Sequence, residues 1–280
     1  MKLHRQLKPA LICLILALSP LARGEELPLW EAGLGLSVLD FPDYRGSDER
    51  TNYLLPVPYV IYRGHYLRVD RDQVRGIFFE RKRVSLHLSI SASVPVDSSK
   101  NSARAGMPDL DATVQVGPNL RLGLYQSDDS RLKIDLRLPA RVVIATDFHH
   151  THNEGWIFEP RINFDWAHVL AGNQWNLGFA TGPVFGDKRY NNYYYGVAPE
   201  YATAQRPAYT AESGYGGMQA TVAVSRRYQR VWIGAFLRWD TVAGAVYQSS
   251  PLVRQDDTLT AGLAVVWRLR ESKQKVDVDE

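Results

Sequence analysis

Cysteine is nearly absent from the chain, since Cys13 is the only one among 280 residues. A disulfide framework and a cysteine-built zinc site are therefore excluded. An excess of one charge is lacking too, because 33 Lys and Arg face 30 Asp and Glu, which predicts no nucleic-acid partner. Beyond the first two dozen residues, no stretch approaches eighteen apolar residues, so no transmembrane helix is predicted. Aromatic residues, by contrast, reach 11%, with 15 Tyr and 7 Trp.

The first 24 residues have the layout of a secretory signal peptide. Their start is basic, through Lys2, Arg5 and Lys8. An apolar run over 10–18 follows, and small residues at 22 and 24 suit cleavage after Gly24. The run is too short to span a bilayer, which needs about 20 residues. Cys13 lacks the small residue expected before a lipid-bearing cysteine, so a lipoprotein is rejected. We expect an exported chain.

The rest of the sequence alternates with period two. In four long segments every second residue is apolar and most of the residues between are polar: 84–94, 132–144, 156–166 and 259–269. Alternation of this kind is typical of β-strands that have one apolar and one polar face. The predicted fold class is therefore all-β.

Two all-β architectures fit this alternation, a soluble β-sandwich and a transmembrane antiparallel β-barrel. Strands of about eleven to fifteen residues favour the barrel, because globular strands average about 5–6 residues and tilted membrane strands about 9–11. The polar faces are densely charged, as a wet lumen permits, and Trp and Tyr near strand ends resemble aromatic girdles. We predict a membrane barrel of about twelve strands, with ten also possible.

The connections between these strands alternate between long and tight, except that the one at 71–73 is short where a long one is expected. Outer-membrane barrels have long outer loops, short periplasmic turns and both termini inside, which matches this order. The predicted organisation is a signal peptide at 1–24, an outer-membrane β-barrel over 25–269 and a charged periplasmic tail at 270–280. Expected surroundings are outer-membrane lipid and lipopolysaccharide.

Several separated motifs resemble the MipA/OmpV family, the MltA-interacting proteins of Gram-negative outer membranes. An opening signature reads DYRGSD at 43–48 and LLPVPY at 54–59. The segments YYGV at 194–197 and PAY at 207–209 resemble the family's long loop. The segment SPLV at 250–253 and the closing strand 259–269 resemble the last hairpin of the family. Family members commonly stop at this closing strand, whereas this chain continues beyond it into the charged tail.

The resemblance implies a scaffold without enzymatic activity. Its partners would be a lytic murein transglycosylase and a murein synthase, and no cofactor is implied. Other members of the family resemble adhesins or osmoregulated surface proteins. A ligand-binding, sensing or narrow channel barrel is therefore the alternative, as is a surface adhesin.

Two clusters were weighed as enzyme or metal sites. His149, His150 and His152 lie near Asp147 and Glu154, and imidazole with carboxylate suits Zn²⁺, but neighbouring side chains of an extended chain diverge. His87 lies between Ser85 and Ser89, yet no nucleophile elbow and no third triad member can be identified. We predict no metal, no catalytic residue and no enzyme.

Three other residue sets are candidates for function. Charged residues on facing strands would form a network in the lumen: Arg121, Lys133, Asp135, Arg137, Arg141, Glu159, Arg161 and Asp165. These charges would either pair with one another and plug the barrel or line a path for a solute, and the plugged barrel is favoured. Basic turns would face a periplasmic partner or lipid head groups: Arg81, Lys82, Arg83, Arg226, Arg227 and Arg230. Tyrosines of the loop 188–216 would bind an outer ligand or pack on one another: Tyr190, Tyr193, Tyr194, Tyr195, Tyr201 and Tyr209.

Overall fold

A computed structural model describes residues 26–63, 67–69, 74–81, 83–147, 149–169 and 175–277. The predicted signal peptide lies outside these residues. Within them, no helix is both long and apolar enough to cross a membrane. The described chain is built from antiparallel strands, with one α-helix and short 3-10 turns in the loops.

Fifteen strands and one α-helix follow in chain order: β1 Glu26–Pro28, β2 Trp30–Pro42, β3 Arg50–Arg63, β4 Leu67–Val69, β5 Val74–Arg81, β6 Val84–Ser93, β7 Ala112–Gln126, β8 Leu132–Thr146, β9 Thr151–Phe158, β10 Arg161–Trp166, β11 Trp175–Gly186, α1 Lys188–Tyr195, β12 Gly214–Tyr228, β13 Val231–Thr241, β14 Asp257–Glu271 and β15 Lys275–Asp277.

Thirteen of these strands form one closed sheet, a β-barrel. Strands β2 to β8 pair in chain order, β11 to β14 do the same, and β14 pairs with β2. The ring closes because β9 and β10 occupy one place in it, both pairing with β8 on one side and β11 on the other. The predicted all-β antiparallel barrel is confirmed.

The barrel is apolar outside and polar inside. In β6 the serines Ser85 and Ser89 and His87 are buried, whereas Val84 and Ile90 are exposed. Most other strands also bury polar residues, and large apolar residues with exposed side chains form the outer band of the barrel: Leu34, Leu36, Leu54, Val114, Ile162, Phe179, Val222, Leu237, Leu263 and Trp267. An outward apolar face and an inward polar face are what a bilayer-spanning barrel requires.

The alternating segment 156–166, which predicts one strand, is divided in the structure. β9 ends at Phe158 and β10 begins at Arg161, because Pro160 has no N–H to donate to the ladder. Gly182 lies opposite this break, where a Cβ would stand 1.9 Å from the Pro160 carbonyl oxygen. β9 begins at Thr151, so His152 lies in a strand together with Glu154 and not in an outer loop.

The two ends of the barrel differ, and we call them the loop end and the turn end. The loop end carries 43–49, 94–111, 147–150, 187–213 and 242–256, and the turn end carries the short connections. Both described chain ends lie at the turn end. There β14 continues to Glu271, into the predicted tail, and β15 pairs with β1 in a two-stranded ribbon.

Candidate functional site: a filled lumen under a packed loop core

Four long loops pack together over the mouth of the barrel. Their buried apolar residues form a cluster that we call the loop core: Tyr44, Val96, Leu110, Tyr195, Val197, Ala211, Val242, Ala245, Tyr247 and Leu252. Hydrogen bonds join the loops as well: the Tyr44 hydroxyl donates to the Leu252 carbonyl (2.8 Å), and Ser250 Oγ donates to the Tyr195 carbonyl (2.7 Å). The loops therefore form one packed cap over this end.

Helix α1 places the central tyrosine of this core. Asp187 caps its start by accepting a hydrogen bond from the Tyr190 backbone N–H (2.8 Å). At its last position, Tyr195 stacks on Tyr247 with ring centroids 3.7 Å apart. Burial raises the pKa of Tyr195 well above its ordinary value and raises the pKa of Tyr44 to about 12. These rings are held neutral in an apolar setting.

Arg45 fastens the loop core to the barrel wall. Its Nε donates to Asp240 Oδ1 (3.1 Å), and its two Nη atoms donate to the carbonyls of Gly216, Met218 and Thr241 (2.8 to 3.2 Å). Asp240 is buried on β13 and also accepts from Arg238 Nε (2.7 Å). Neither Arg45 nor Asp240 is predicted from the sequence as a site residue, although Arg45 lies within the DYRGSD motif.

The six loop tyrosines singled out from the sequence come together in the structure. Tyr195 lies in the loop core, and Tyr193, Tyr194, Tyr201 and Tyr209 pack against it. Tyr190 packs against a neighbouring cluster formed by Val143, Ile157 and Val184. Of the two roles weighed for these tyrosines, the geometry shows mutual packing. A ligand role for them stays a prediction.

The charged wall of the lumen is paired across strands β7, β8 and β10. Asp135 is fully buried and accepts from Arg121 (2.9 Å) and Arg137 (2.6 Å), and Arg137 also reaches Asp165 (3.0 Å). A second pair joins Arg141 and Glu159. Lys133 and Arg161 stand opposite Asp165 and Arg137 in the register of β8 and β10. Ion pairs thus join predicted network residues across the strands: Arg121, Asp135, Arg137, Arg141, Glu159 and Asp165.

The opposite wall carries large apolar side chains, which the period-two analysis did not predict. Tyr59, Ile61 and Val266 form a buried cluster, with Val57 and Trp232 packed against it. The Trp232 ring lies over Gly234, where a Cβ would stand 2.2 Å from a ring carbon. A glycine within a strand, such as Gly234, thus indicates where a bulky neighbouring side chain occupies space inside the barrel.

A buried carboxylate lies beside this apolar cluster. The Glu31 side chain has no exposed surface and pairs with Arg227 and with Arg268 (3.5 Å), while the Tyr59 hydroxyl lies 3.4 Å from Glu31 Oε2. A single glutamate at the start of a strand gave no sequence signal for this role. Its two arginines are brought to it from β12 and β14 by closure of the barrel.

The basic turn residues do not form one surface. Arg227 points into the lumen at Glu31, whereas Arg226 lies over the rings of Trp175 (5.4 Å) and Tyr228 (4.3 Å). The exposed members at the turn end are Arg81, Arg83 and Arg230. Lys82 lies outside the described residues.

The histidine-rich loop is a local turn. The backbone N–H groups of His149 and His150 donate to Asp147 Oδ1 (2.8 and 2.6 Å), and these bonds lower the pKa of Asp147 to about 2. Within the described ranges, no group of three or more His, Cys, Asp or Glu side chains is placed to hold a metal. Ser85 Oγ lies 2.7 Å from His87 Nε2 inside the lumen.

Comparison with known proteins agrees with this architecture. The family model described as MltA-interacting protein MipA matches residues 34–269. The chain belongs to this family. The motifs DYRGSD, YYGV and SPLV contribute Tyr44, Tyr195, Val197 and Leu252 to the loop core, and Tyr209 of PAY packs against it.

One curated relative of this MipA family member is the outer membrane protein Omp26La of Vibrio anguillarum, 24% identical over 213 residues, which are 74% of this chain and 75% of that protein. Among solved structures, the NanC porin has a TM-score of 0.39 at 7% identity, covering 84% of this chain and all of the porin. A bacterial polysaccharide outer membrane secretin has a TM-score of 0.43 at 11% identity, covering 86% and 99%. Family and relative place this MipA barrel in the outer membrane.

Proposed function

We propose that this MipA-family protein is a plugged, non-enzymatic barrel that serves as an interaction protein of the outer membrane. Its periplasmic partner would be a lytic murein transglycosylase, which it would bring together with a murein synthase. The single observation that carries the proposal is the packing of buried side chains into clusters at both ends of the barrel. An interaction protein needs a rigid anchor in the membrane and no solute path.

Three layers of side chains obstruct the lumen. At the loop end, the loop core is tied to the wall by Arg45. In the middle, Asp135 is enclosed by the Arg121 and Arg137 guanidinium groups. At the turn end, the apolar cluster of Tyr59, Ile61 and Val266 fills the space beside Glu31. Mixed charges that pair with each other contribute a polar filling, whereas an open pore needs charges that face water.

The partner is supported by the family description, which names interaction with MltA. The turn end, which faces the periplasm in outer-membrane barrels, exposes Arg81, Arg83 and Arg230. Exposed positive charges of this kind steer an acidic partner surface toward the barrel.

Planar-bilayer recording tests the plugged lumen. The purified wild-type protein should show no stepwise currents under conditions in which an open general porin, used as the control, conducts. Regular single-channel steps from the wild type would favour the alternative function, a selective solute channel.

Crosslinking in cell envelopes, followed by capture and mass spectrometry, tests the partner. Replacement of Arg81, Arg83 and Arg230 by Ser should reduce capture of a lytic transglycosylase, because exposed charges at the turn end are removed. The matched control replaces three exposed loop-end charges, Lys100, Lys188 and Arg189, by Ser and should leave capture unchanged. Equal capture by both triple variants and the wild type would contradict the role of the turn end.

A further inference from the structure

A groove opens on the outside of the loop core, where three loops meet. It has a volume of about 320 Å³, within the range of small-ligand sites, and it is lined by Ser102, Ala105, Thr203, Gln205, Arg206 and Arg254, among others. These residues come from the loops 94–111, 187–213 and 242–256. Most of them are exposed, so a ligand can enter from the outer side.

Arg206 forms the fixed floor of this groove. Its Nε donates to the Tyr201 carbonyl (3.2 Å), Nη1 donates to the carbonyls of Ala103 (3.0 Å) and Ala105 (2.9 Å), and Nη2 donates to Tyr201 (2.8 Å). In the part of the chain that the structure describes, no carboxylate lies within ion-pair distance of Arg206. Carbonyl oxygens thus orient the guanidinium group through four of its five N–H groups, and no carboxylate of the described residues neutralises its charge.

A second guanidinium group stands at the rim. Arg254 is half exposed, and its Nε is 3.9 Å from Asp48 Oδ2, at the outer limit of an ion pair. Below the groove, Arg104 is almost completely buried, and the pKa of its guanidinium is lowered mainly by burial, with a further contribution from the charge of Arg206. Three cations thus share this side of the cap.

Polar groups for a hydroxylated ligand lie beside these charges. Gln205 is exposed, and its amide makes no hydrogen bond within the described residues. Ser102 and Thr203 are exposed as well. Guanidinium groups recognise carboxylate or phosphate, and amide and hydroxyl groups recognise sugar hydroxyls.

We propose that the groove binds an anionic saccharide, a sugar that carries carboxylate or phosphate, with Arg254 and Arg206 on the anion and Gln205 on hydroxyls. This inference goes beyond the proposed function, because it concerns the opposite end of the barrel. Two sources share the chemistry: a free acidic oligosaccharide, and the phosphorylated sugars of lipopolysaccharide in the surrounding leaflet.

Titration calorimetry on the full barrel in detergent tests the proposal. The probes are a galacturonic acid trisaccharide, the neutral galactose trisaccharide, rough lipopolysaccharide and the same lipopolysaccharide after dephosphorylation. The acidic trisaccharide or the phosphorylated lipopolysaccharide should bind, and the uncharged counterpart should bind at least about tenfold more weakly, as loss of a charge-assisted contact implies. The charged probe that gives a heat of binding identifies which of the two sources supplies the ligand.

Variants at the rim connect binding to the groove. Arg254→Gln and Gln205→Ala alter exposed side chains and should each weaken binding of the charged probe, Arg254→Gln by about tenfold. The control Arg189→Gln removes an exposed loop-end charge away from the groove and should bind as the wild type does. Binding of neither charged probe, equal binding of charged and uncharged probes, or wild-type affinity in Arg254→Gln would each overturn the proposal.

Discussion

At the scale of single residues, three buried carboxylates stabilise the interior of the barrel. Glu31, Asp135 and Asp240 are each buried, and each is in contact with two guanidinium groups. A buried carboxylate is costly unless it is paired and hydrogen-bonded, so removal of one member leaves the other charges uncompensated. These three acids are the positions where a conservative substitution should have a large effect.

Glu31→Ala should destabilise the barrel strongly, because it leaves Arg227 and Arg268 facing each other without their shared carboxylate. Breaking a buried pair in this way costs about 3–5 kcal/mol. The exposed pair of Lys188 and Glu212 provides the control, since Glu212→Ala should cost about 0–1 kcal/mol. Denaturant unfolding in lipid vesicles measures both; equal losses from the two variants would mean that Glu31 contributes no more than a surface residue.

At the scale of elements, the cap depends on neutral tyrosines. Burial raises the pKa of Tyr44, Tyr190, Tyr193, Tyr194, Tyr195 and Tyr247. A tyrosine with a raised pKa in the folded state contributes stability that is fully present below its unfolded value, about 10. That contribution is lost as the pH rises through the folded value.

The loop core should therefore loosen between about pH 10 and the pKa of about 12 that burial gives Tyr44, while the membrane strands stay folded. Tyrosinate absorbance should rise cooperatively in this window, together with protease cleavage in 187–213. Tyr44→Phe keeps a buried ring at this position that cannot ionise, so one tyrosinate fewer should form in this window. Tyrosinate formation at the ordinary pKa in the intact cap would contradict the burial of these rings.

At the scale of the whole molecule, adjacent residues of one strand face opposite sides of the barrel wall, one toward lipid and the next toward the lumen. Leu136 pairs with Ile162 across β8 and β10 in the apolar outer band, and Arg137, the next residue, points inward to Asp135 and Asp165. The same strand thus presents hydrocarbon to the bilayer and a guanidinium group to the charge network.

Leu136→Arg should cost about 2–4 kcal/mol of barrel stability, as expected for an arginine near the membrane midplane. Arg137→Leu leaves the lipid face unchanged, and Asp135 keeps its second partner Arg121, so this variant should disturb the charge network without unfolding the barrel. Heat-modifiable mobility on gels and unfolding in vesicles separate the two: the first variant should lose the folded band in membranes, and the second should keep it. Identical behaviour would show that the inside and outside assignment is wrong.

The sequence alone determined the fold class, the inside and outside faces and the family. Period-two alternation over 84–94 and 132–144 requires strands, because side chains of a strand point to opposite sides in turn. It placed Asp135, Arg137 and Asp165 on one face, and the structure pairs them. It could not foresee that Pro160 divides a strand, because the pattern of apolar residues continues across the break.

Only the tertiary structure decided how the barrel is closed off. Arg45 and Asp240 are 195 residues apart, and Glu31 meets Arg227 and Arg268 from 196 and 237 residues away. Strand closure sets these distances, and a local pattern contains no information about them. The tyrosines of 188–216 were equally suited to a ligand or to packing, and the convergence of four loops placed Tyr195 against Tyr247. Periodicity tells which face a residue is on, whereas its neighbours on that face depend on register and closure of the whole sheet.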